Sequence, residues 1–181
     1  MALPLHRGNG MRLAAVCLSA ALTGLTPNRL YYSRVQALNG AGIGTDFIVF
    51  ATTRTLAAAP DLPAGDIFTP IYASSMTVNW SSGTPAGGYN PAGTLYTVEL
   101  STSSPDFTPA ADSAQTTALN APLSGLTPNT TYYARVRARN SAGAETGFVL
   151  LGSTMTMTIT PALPAGAPYQ PVYITSMTVN W

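Results

Sequence analysis

The chain has 181 residues, of which 46% are hydrophobic, so it is long and apolar enough to bury a core and disorder is not expected. Eight residues are Lys or Arg and seven are Asp or Glu, and the net charge of +1 is too small to attract nucleic acid or an anionic membrane. Cys17 is the single cysteine and His6 the single histidine, which excludes an intrachain disulfide and argues against thiolate metal clusters and nucleophile–histidine pairs. Abundant Thr, Ser, Ala, Gly and Pro are typical of short strands joined by turns.

Residues 1–20 are irregular or signal-like. An apolar run from Leu13 to Leu22 follows Arg7 and Arg12, and its small residues at 19–21 resemble the end of a secretory signal. The run is too short to span a bilayer. The repeat described next places its second half where a core strand is expected, so a strand or a ragged start is the alternative.

The chain repeats itself with an offset of 101 residues. Thr23–Trp80 aligns with Ser124–Trp181 without a gap, and 30 of the 58 aligned pairs are identical. A unit of about 100 residues is the size of one β-sandwich domain. We therefore predict a tandem repeat, a piece of a longer protein, with a partial copy at 21–58 (C-terminal strands), a complete domain at 59–157 and a partial copy at 158–181 (N-terminal strands).

The complete copy begins with alternating strands. Met76, Val78 and Trp80 alternate with small polar residues, which predicts a strand with one face in the core. Residues 81–93 are rich in Gly, Pro and Ser and are predicted to be a loop. Tyr96, Val98 and Leu100 then alternate with polar residues, so a second strand also turns an apolar face inward.

A third alternating strand carries a row of arginines. Tyr132 and the small apolar residues that follow occupy one face, and Arg135, Arg137 and Arg139 occupy the other, which we expect to be solvated. Three arginines are compatible with an anion site. Pairing with Glu99 on a neighbouring strand is the commoner use of such residues, and we favour it.

Two motifs of the complete copy resemble fibronectin type III domains. The pattern L-x-P-x-T-x-Y at Leu126–Tyr132, followed by V-x-A-x-N-x-x-G at Val136–Gly143, resembles the E–F corner and F strand of that family, and Trp80 and Tyr96 match its core aromatics. The resemblance implies an all-β, seven-stranded antiparallel β-sandwich of the immunoglobulin-like class. It also implies that the Tyr132 hydroxyl contacts the backbone at the corner.

The first partial copy repeats the corner with Tyr31, although Arg29 replaces the threonine. Packing two sheets together would bury the apolar faces of these strands. The predicted core is Met76, Val78, Trp80, Tyr96, Val98, Leu100, Leu126, Tyr132, Val136 and Ala138.

The sequence contains no recognisable catalytic, cofactor or metal site, and we expect no cofactor. The carboxylates are scattered along the chain. Asp61 and Asp66 lie near a domain junction, but two donors are far fewer than calcium takes, so we interpret them as solvated linker charges. Exposed loops are the remaining place for a ligand: residues 81–93 carry Tyr89 and Asn90, and residues 140–147 should lie at the same end of the sandwich. Flexible tips without a ligand are the commoner interpretation of such loops, and we favour it.

These observations favour a protein that is not an enzyme. Our first hypothesis is a structural or adhesive spacer of a secreted or cell-surface repeat protein, bacterial in origin, with an unidentified protein or carbohydrate partner and no nucleic-acid binding or membrane insertion. The second is an accessory module of a secreted polysaccharide-degrading enzyme. The third is self-association through strand edges of the incomplete terminal copies.

Overall fold

The structure is a computed structural model that describes residues 19–104 and 106–181. Within these ranges every regular element is a β-strand. No helix there is long and apolar enough to cross a membrane. Cys17, His6 and nearly all of the signal-like stretch predicted at 1–20 lie outside the described residues.

The central part of the chain forms two antiparallel sheets. One has the strand order β11-β6-β5 and the other the order β10-β9-β12-β13. The remaining strands form two-stranded pairs before, within and after this unit. In chain order the strands are β1 (Leu30–Tyr31), β2 (Arg34–Val35), β3 (Ile48–Val49), β4 (Thr53–Arg54), β5 (Phe68–Ile71), β6 (Ser75–Asn79), β7 (Gly83–Thr84), β8 (Gly88–Tyr89), β9 (Leu95–Ser101), β10 (Asp112–Thr116), β11 (Asn120–Ser124), β12 (Thr131–Arg139), β13 (Val149–Met155), β14 (Tyr169–Val172) and β15 (Met177–Val179).

The two sheets enclose one hydrophobic core. All ten residues predicted for the core are buried, and they belong to a single cluster with side chains from both sheets. The period of two along β6, β9 and β12 places alternate side chains between the sheets and leaves the others outside. The predicted all-β antiparallel sandwich is therefore confirmed.

Trp80 and Tyr96 pair at the centre of this core. Their ring centroids are 5.7 Å apart and the planes are inclined by 58°, a tilted arrangement that aromatic rings favour over stacking face to face. Trp80 directly follows the end of β6, and its backbone N–H donates to the carbonyl oxygen of Leu119 at 3.1 Å. Strand β6 and the hydrogen bond to Leu119 thus fix the backbone of Trp80 beside the sheet.

The tyrosine corner forms as the resemblance implied. The Thr127 N–H donates to the Tyr132 hydroxyl oxygen at 2.9 Å. The same bond joins the Thr26 N–H to the Tyr31 hydroxyl oxygen at 2.8 Å, so the corner of the first copy forms even with Arg29 in place of the threonine. Each bond fixes the turn that precedes a strand.

The flanking segments repeat parts of the central sandwich. Strands β1 to β4 correspond to β12 and β13, and the pair β14–β15 corresponds to β5–β6, each at the 101-residue offset of the sequence. Their apolar side chains are largely exposed, because each segment contains only two-stranded pairs and has no facing sheet. The domain boundaries at 21–58, 59–157 and 158–181 stay a prediction.

One predicted loop contains more structure than expected. Residues 81–93 include the short hairpin β7–β8. Gly88 in this hairpin has a φ of 79°, a conformation that glycine adopts without strain. The hairpin folds the loop back on itself, so its tip is an ordered surface.

Candidate functional site

Two loops meet at one end of the central sandwich, and we call this end the loop pole. It consists of residues 81–94, between β6 and β9, and residues 140–147, between β12 and β13. Gly93 and Ser141 line a shared open cleft of about 220 Å³. The two loops therefore lie together as predicted.

The first copy is seated on the loop pole through Asn28. This side chain is only 5% exposed. Its Nδ2 donates to the Thr94 hydroxyl oxygen at 2.9 Å, and its Oδ1 accepts from the Ser141 N–H at 2.9 Å. One amide thus contacts both loops and uses its donor and its acceptor at once.

Further hydrogen bonds surround this contact. The Arg54 guanidinium donates from Nη1 to the Asn28 carbonyl oxygen at 2.7 Å, and Asn140 Nδ2 donates to the Thr55 carbonyl oxygen at 3.2 Å. An open cavity of about 380 Å³ remains between the two copies. Its lining residues are Asn28, Arg29, Leu30, Arg54, Pro91, Ala92, Gly93 and Ser141.

Asn90 holds the segment that connects the two copies. Its Oδ1 accepts from the Ala58 N–H at 2.7 Å, and its Nδ2 donates to the carbonyl oxygens of Ala58 at 2.8 Å and Ser82 at 2.7 Å. The interpretation of Asn90 as a ligand-presenting side chain is therefore wrong, because its polar atoms are already used inside the protein. The neighbouring Tyr89 is 52% exposed.

Arg135 in the arginine row on β12 is paired with Glu99 as predicted, but the row is not fully solvated. Arg135 contacts Glu99 of β9 with an Nη2–Oε2 distance of 2.7 Å, and Arg137 contacts Glu145 at 2.7 Å. The Phe148 ring lies beneath both guanidinium groups, with its centroid 4.1 Å and 4.6 Å from their central carbons. The expectation of a wet stripe is wrong for these two residues because aromatic rings cover them, and their ion pairs argue against an anion site.

Burial changes the acidity of one core phenol. Removal from water raises the pKa of the Tyr96 hydroxyl above its ordinary value of 10.0, and the hydrogen bond with the Asn90 side chain lowers it in part. Tyr96 is therefore neutral at physiological pH and serves as a packed core residue.

Asp61 and Asp66, the acidic residues near the domain junction, have main-chain contacts, and Asp112 uses its carboxylate. Asp61 exchanges two backbone hydrogen bonds with Ser81, at 2.8 and 3.2 Å, and the Asp66 carbonyl oxygen accepts from Asn79 Nδ2 at 3.2 Å. Asp112 accepts the N–H groups of Ser113 and Ser124. Among the described residues, no three His, Cys, Asp or Glu side chains are grouped so that they could hold a metal ion.

Sequence comparison relates the central domain to a known family. Residues 61–148 match the family model of the Fibronectin type III domain. The chain is 32% identical over 187 aligned residues to exoglucanase B of Cellulomonas fimi, which covers 97% of this chain and 16% of that protein. It is 30% identical over 151 residues to endoglucanase B of Cellulomonas fimi, which covers 80% of this chain and 14% of that protein.

Solved structures of similar shape include the FN1–FN3 domains of chicken CNTN1. The identity is 22% and the TM-score 0.40, with 74% of this chain and 43% of that chain covered. The chain spans about one sixth of the length of the curated relatives that it matches.

Proposed function

Because the chain belongs to the fibronectin type III family through residues 61–148, we propose that it is a non-catalytic spacer module of an extracellular protein. The observation that carries this proposal is the pair of hydrogen bonds by which the Asn28 side chain binds both loops of the loop pole. The loops that such a sandwich uses to present a binding surface are occupied here by the preceding copy. Because this contact is ordered, it would hold consecutive copies at a fixed distance, as a spacer between neighbouring domains requires.

A second function is favoured by the two relatives from Cellulomonas fimi, whose names describe glucanases. The chain would then be an accessory module of a polysaccharide-degrading enzyme. The matched region is a small part of each relative, so the glucanase activity itself is not transferred to this chain. A glucan polymer is too large to enter a cell, which supports an extracellular location for this second function.

Mixing the purified chain with insoluble cellulose and with a soluble glucan tests both functions. A pure spacer should neither release reducing ends nor sediment with cellulose. A carbohydrate-associated module should sediment with cellulose without releasing reducing ends. Heat-unfolded chain is the control for non-specific adsorption, and release of reducing ends that follows the chain through purification would contradict a non-catalytic role.

A further inference from the structure

The corner that seats in the loop pole occurs twice in the chain. The sequence Gly-Leu-Thr-Pro-Asn ends at Asn28 in the first copy and at Asn129 in the central domain. Both asparagines have a positive φ, 49° and 51°, and each donates its backbone N–H to a carbonyl oxygen just after the end of a later strand, that of Leu56 after β4 for Asn28 and that of Met157 after β13 for Asn129. The two corners therefore present the same side chain on the same backbone.

The two asparagines differ in their surroundings. Asn28 is buried against Thr94 and Ser141, whereas Asn129 is exposed. The exposed corner thus has the shape and the hydrogen-bonding groups of the seated one. Within the described residues, no loop pole covers the Asn129 side chain.

The loop pole fits this corner in shape as well as in polarity. A Cβ added to Gly88 would lie 3.0 Å from Pro27 Cγ, so the hairpin tip of the pole approaches the corner proline closely. Pro128 holds the same place before Asn129. The proline and asparagine side chains together form a surface with one apolar and one amide contact.

We propose that the corner at Pro128–Asn129 is a docking surface for the loop pole of a further copy of this same domain. The Asn129 amide would donate to the threonine and accept from the serine N–H that correspond to Thr94 and Ser141. Met155 stands where Arg54 supports the first corner, so the second contact would depend on the asparagine and proline without that guanidinium. Copies would then be joined in one direction, corner to pole, with a fixed polar contact at each joint.

The existing joint can be tested in the chain as it is, with hydrogen exchange of the Ser141 amide. Asn28→Gly keeps the positive φ but removes the acceptor, so this amide should exchange about tenfold faster. Asn28→Asp keeps an acceptor oxygen and should preserve the slow exchange. Asn129→Gly is the matched control and should leave Ser141 unchanged, while the amides of Val98 and Val136 report whether the sandwich is still folded.

The second joint is tested in the full chain lengthened after Trp181 by a second set of residues 81–157, which supplies a further loop pole. Asn129→Gly should then speed exchange of the added serine amide that corresponds to Ser141 about tenfold, and Asn28→Gly should not. Equal exchange of that amide with and without Asn129→Gly would overturn the proposal. The inference rests on the proposed spacer function, but the two fail separately, since glucan turnover would remove that function and leave the exchange result intact.

Discussion

Trp80 and Trp181 occupy the same position of the repeat, yet one is 2% exposed and the other 80%. The difference comes from what lies opposite. Trp80 packs against Tyr96 of β9 in the core between the two sheets, whereas the pair β14–β15 has no facing sheet. The contribution of a residue to stability therefore depends on its partners and not on its type.

This pair gives a matched test of the core. Trp80→Ala should lower the free energy of unfolding by about 3–5 kcal/mol, because it removes a large buried side chain and leaves a cavity. In a dilute solution of monomeric chain, Trp181→Ala should change it by less than about 0.5 kcal/mol, since the side chain is then mostly in water. Urea unfolding followed by circular dichroism measures both, and equal effects of the two substitutions would contradict the packing described above.

Because of Tyr96, we expect the free energy of unfolding to fall at alkaline pH. Its pKa is raised in the folded chain, so the unfolded chain loses the phenol proton first as the pH rises above about 10. The stabilisation that comes from the neutral, buried Tyr96 phenol is fully present below that pH and is lost as the pH rises through the folded-state pKa. Urea midpoints at pH 8 and pH 11 should therefore differ less in Tyr96→Phe than in the unaltered chain. Tyr89→Phe, which removes an exposed phenol, is the control, and an equal difference in all three proteins would refute this explanation.

At the scale of the elements, strand β12 combines a buried face with an arginine face. The register places Arg135 opposite Glu99 on β9, and the Phe107 and Phe148 rings lie 4.3 and 4.1 Å from the guanidinium carbon. The first copy repeats one of these contacts, with Arg34 4.0 Å from the Phe47 ring. The repeated arginine and phenylalanine thus tie a strand to the strand or loop beside it.

Arg135→Met tests this arrangement. The side chains of Arg135 and Glu99 are 23% and 19% exposed, so their ion pair is weakened by solvent only in part. Loss of the pair and of the aromatic contacts should cost about 1–2 kcal/mol of unfolding free energy. Arg135→Lys should recover less than half of that loss, because an ammonium group lacks the planar surface that stacks on the rings. Arg139→Met, at an exposed position, is the control, and a loss as large as that of Arg135→Met would contradict a specific role.

At the scale of the whole molecule, the two ends of the chain expose apolar faces that the central domain buries. Met177, Val179 and Trp181 correspond to the buried Met76, Val78 and Trp80 and are 59%, 48% and 80% exposed. Strands β1 to β4 likewise correspond to strands of the opposite sheet. One chain thus offers parts of both halves of a sandwich.

We propose that two copies of the chain associate by packing these faces against each other. Light scattering should show a mass that rises with concentration, and Val179→Asp should lower it by placing a charge in the apolar contact. Tyr89→Ser, at an exposed position outside these apolar faces, should leave the mass unchanged. A strictly monomeric chain at all concentrations would contradict this association.

The sequence alone determined the all-β class, the repeat, the buried faces of β6, β9 and β12 and the tyrosine corner. The buried faces follow from a period of two that is visible in a single segment, the repeat follows from identities 101 residues apart, and the tyrosine corner was implied by the resemblance to fibronectin type III domains. Strands β10 and β11, with the sequences DSAQT and NAPLS, show no such strong alternation, and their place was decided by pairing with β9 and β6.

Only the tertiary structure revealed the joint between copies. Asn28 is an ordinary turn asparagine in the sequence, and its partners Thr94 and Ser141 lie 66 and 113 residues away. No periodicity connects positions so distant, because the contact depends on how two folded units meet. The hydrogen bonds of Asn90 and the aromatic rings on Arg135 were likewise revealed only by the tertiary structure, because the fold brings their distant partners together.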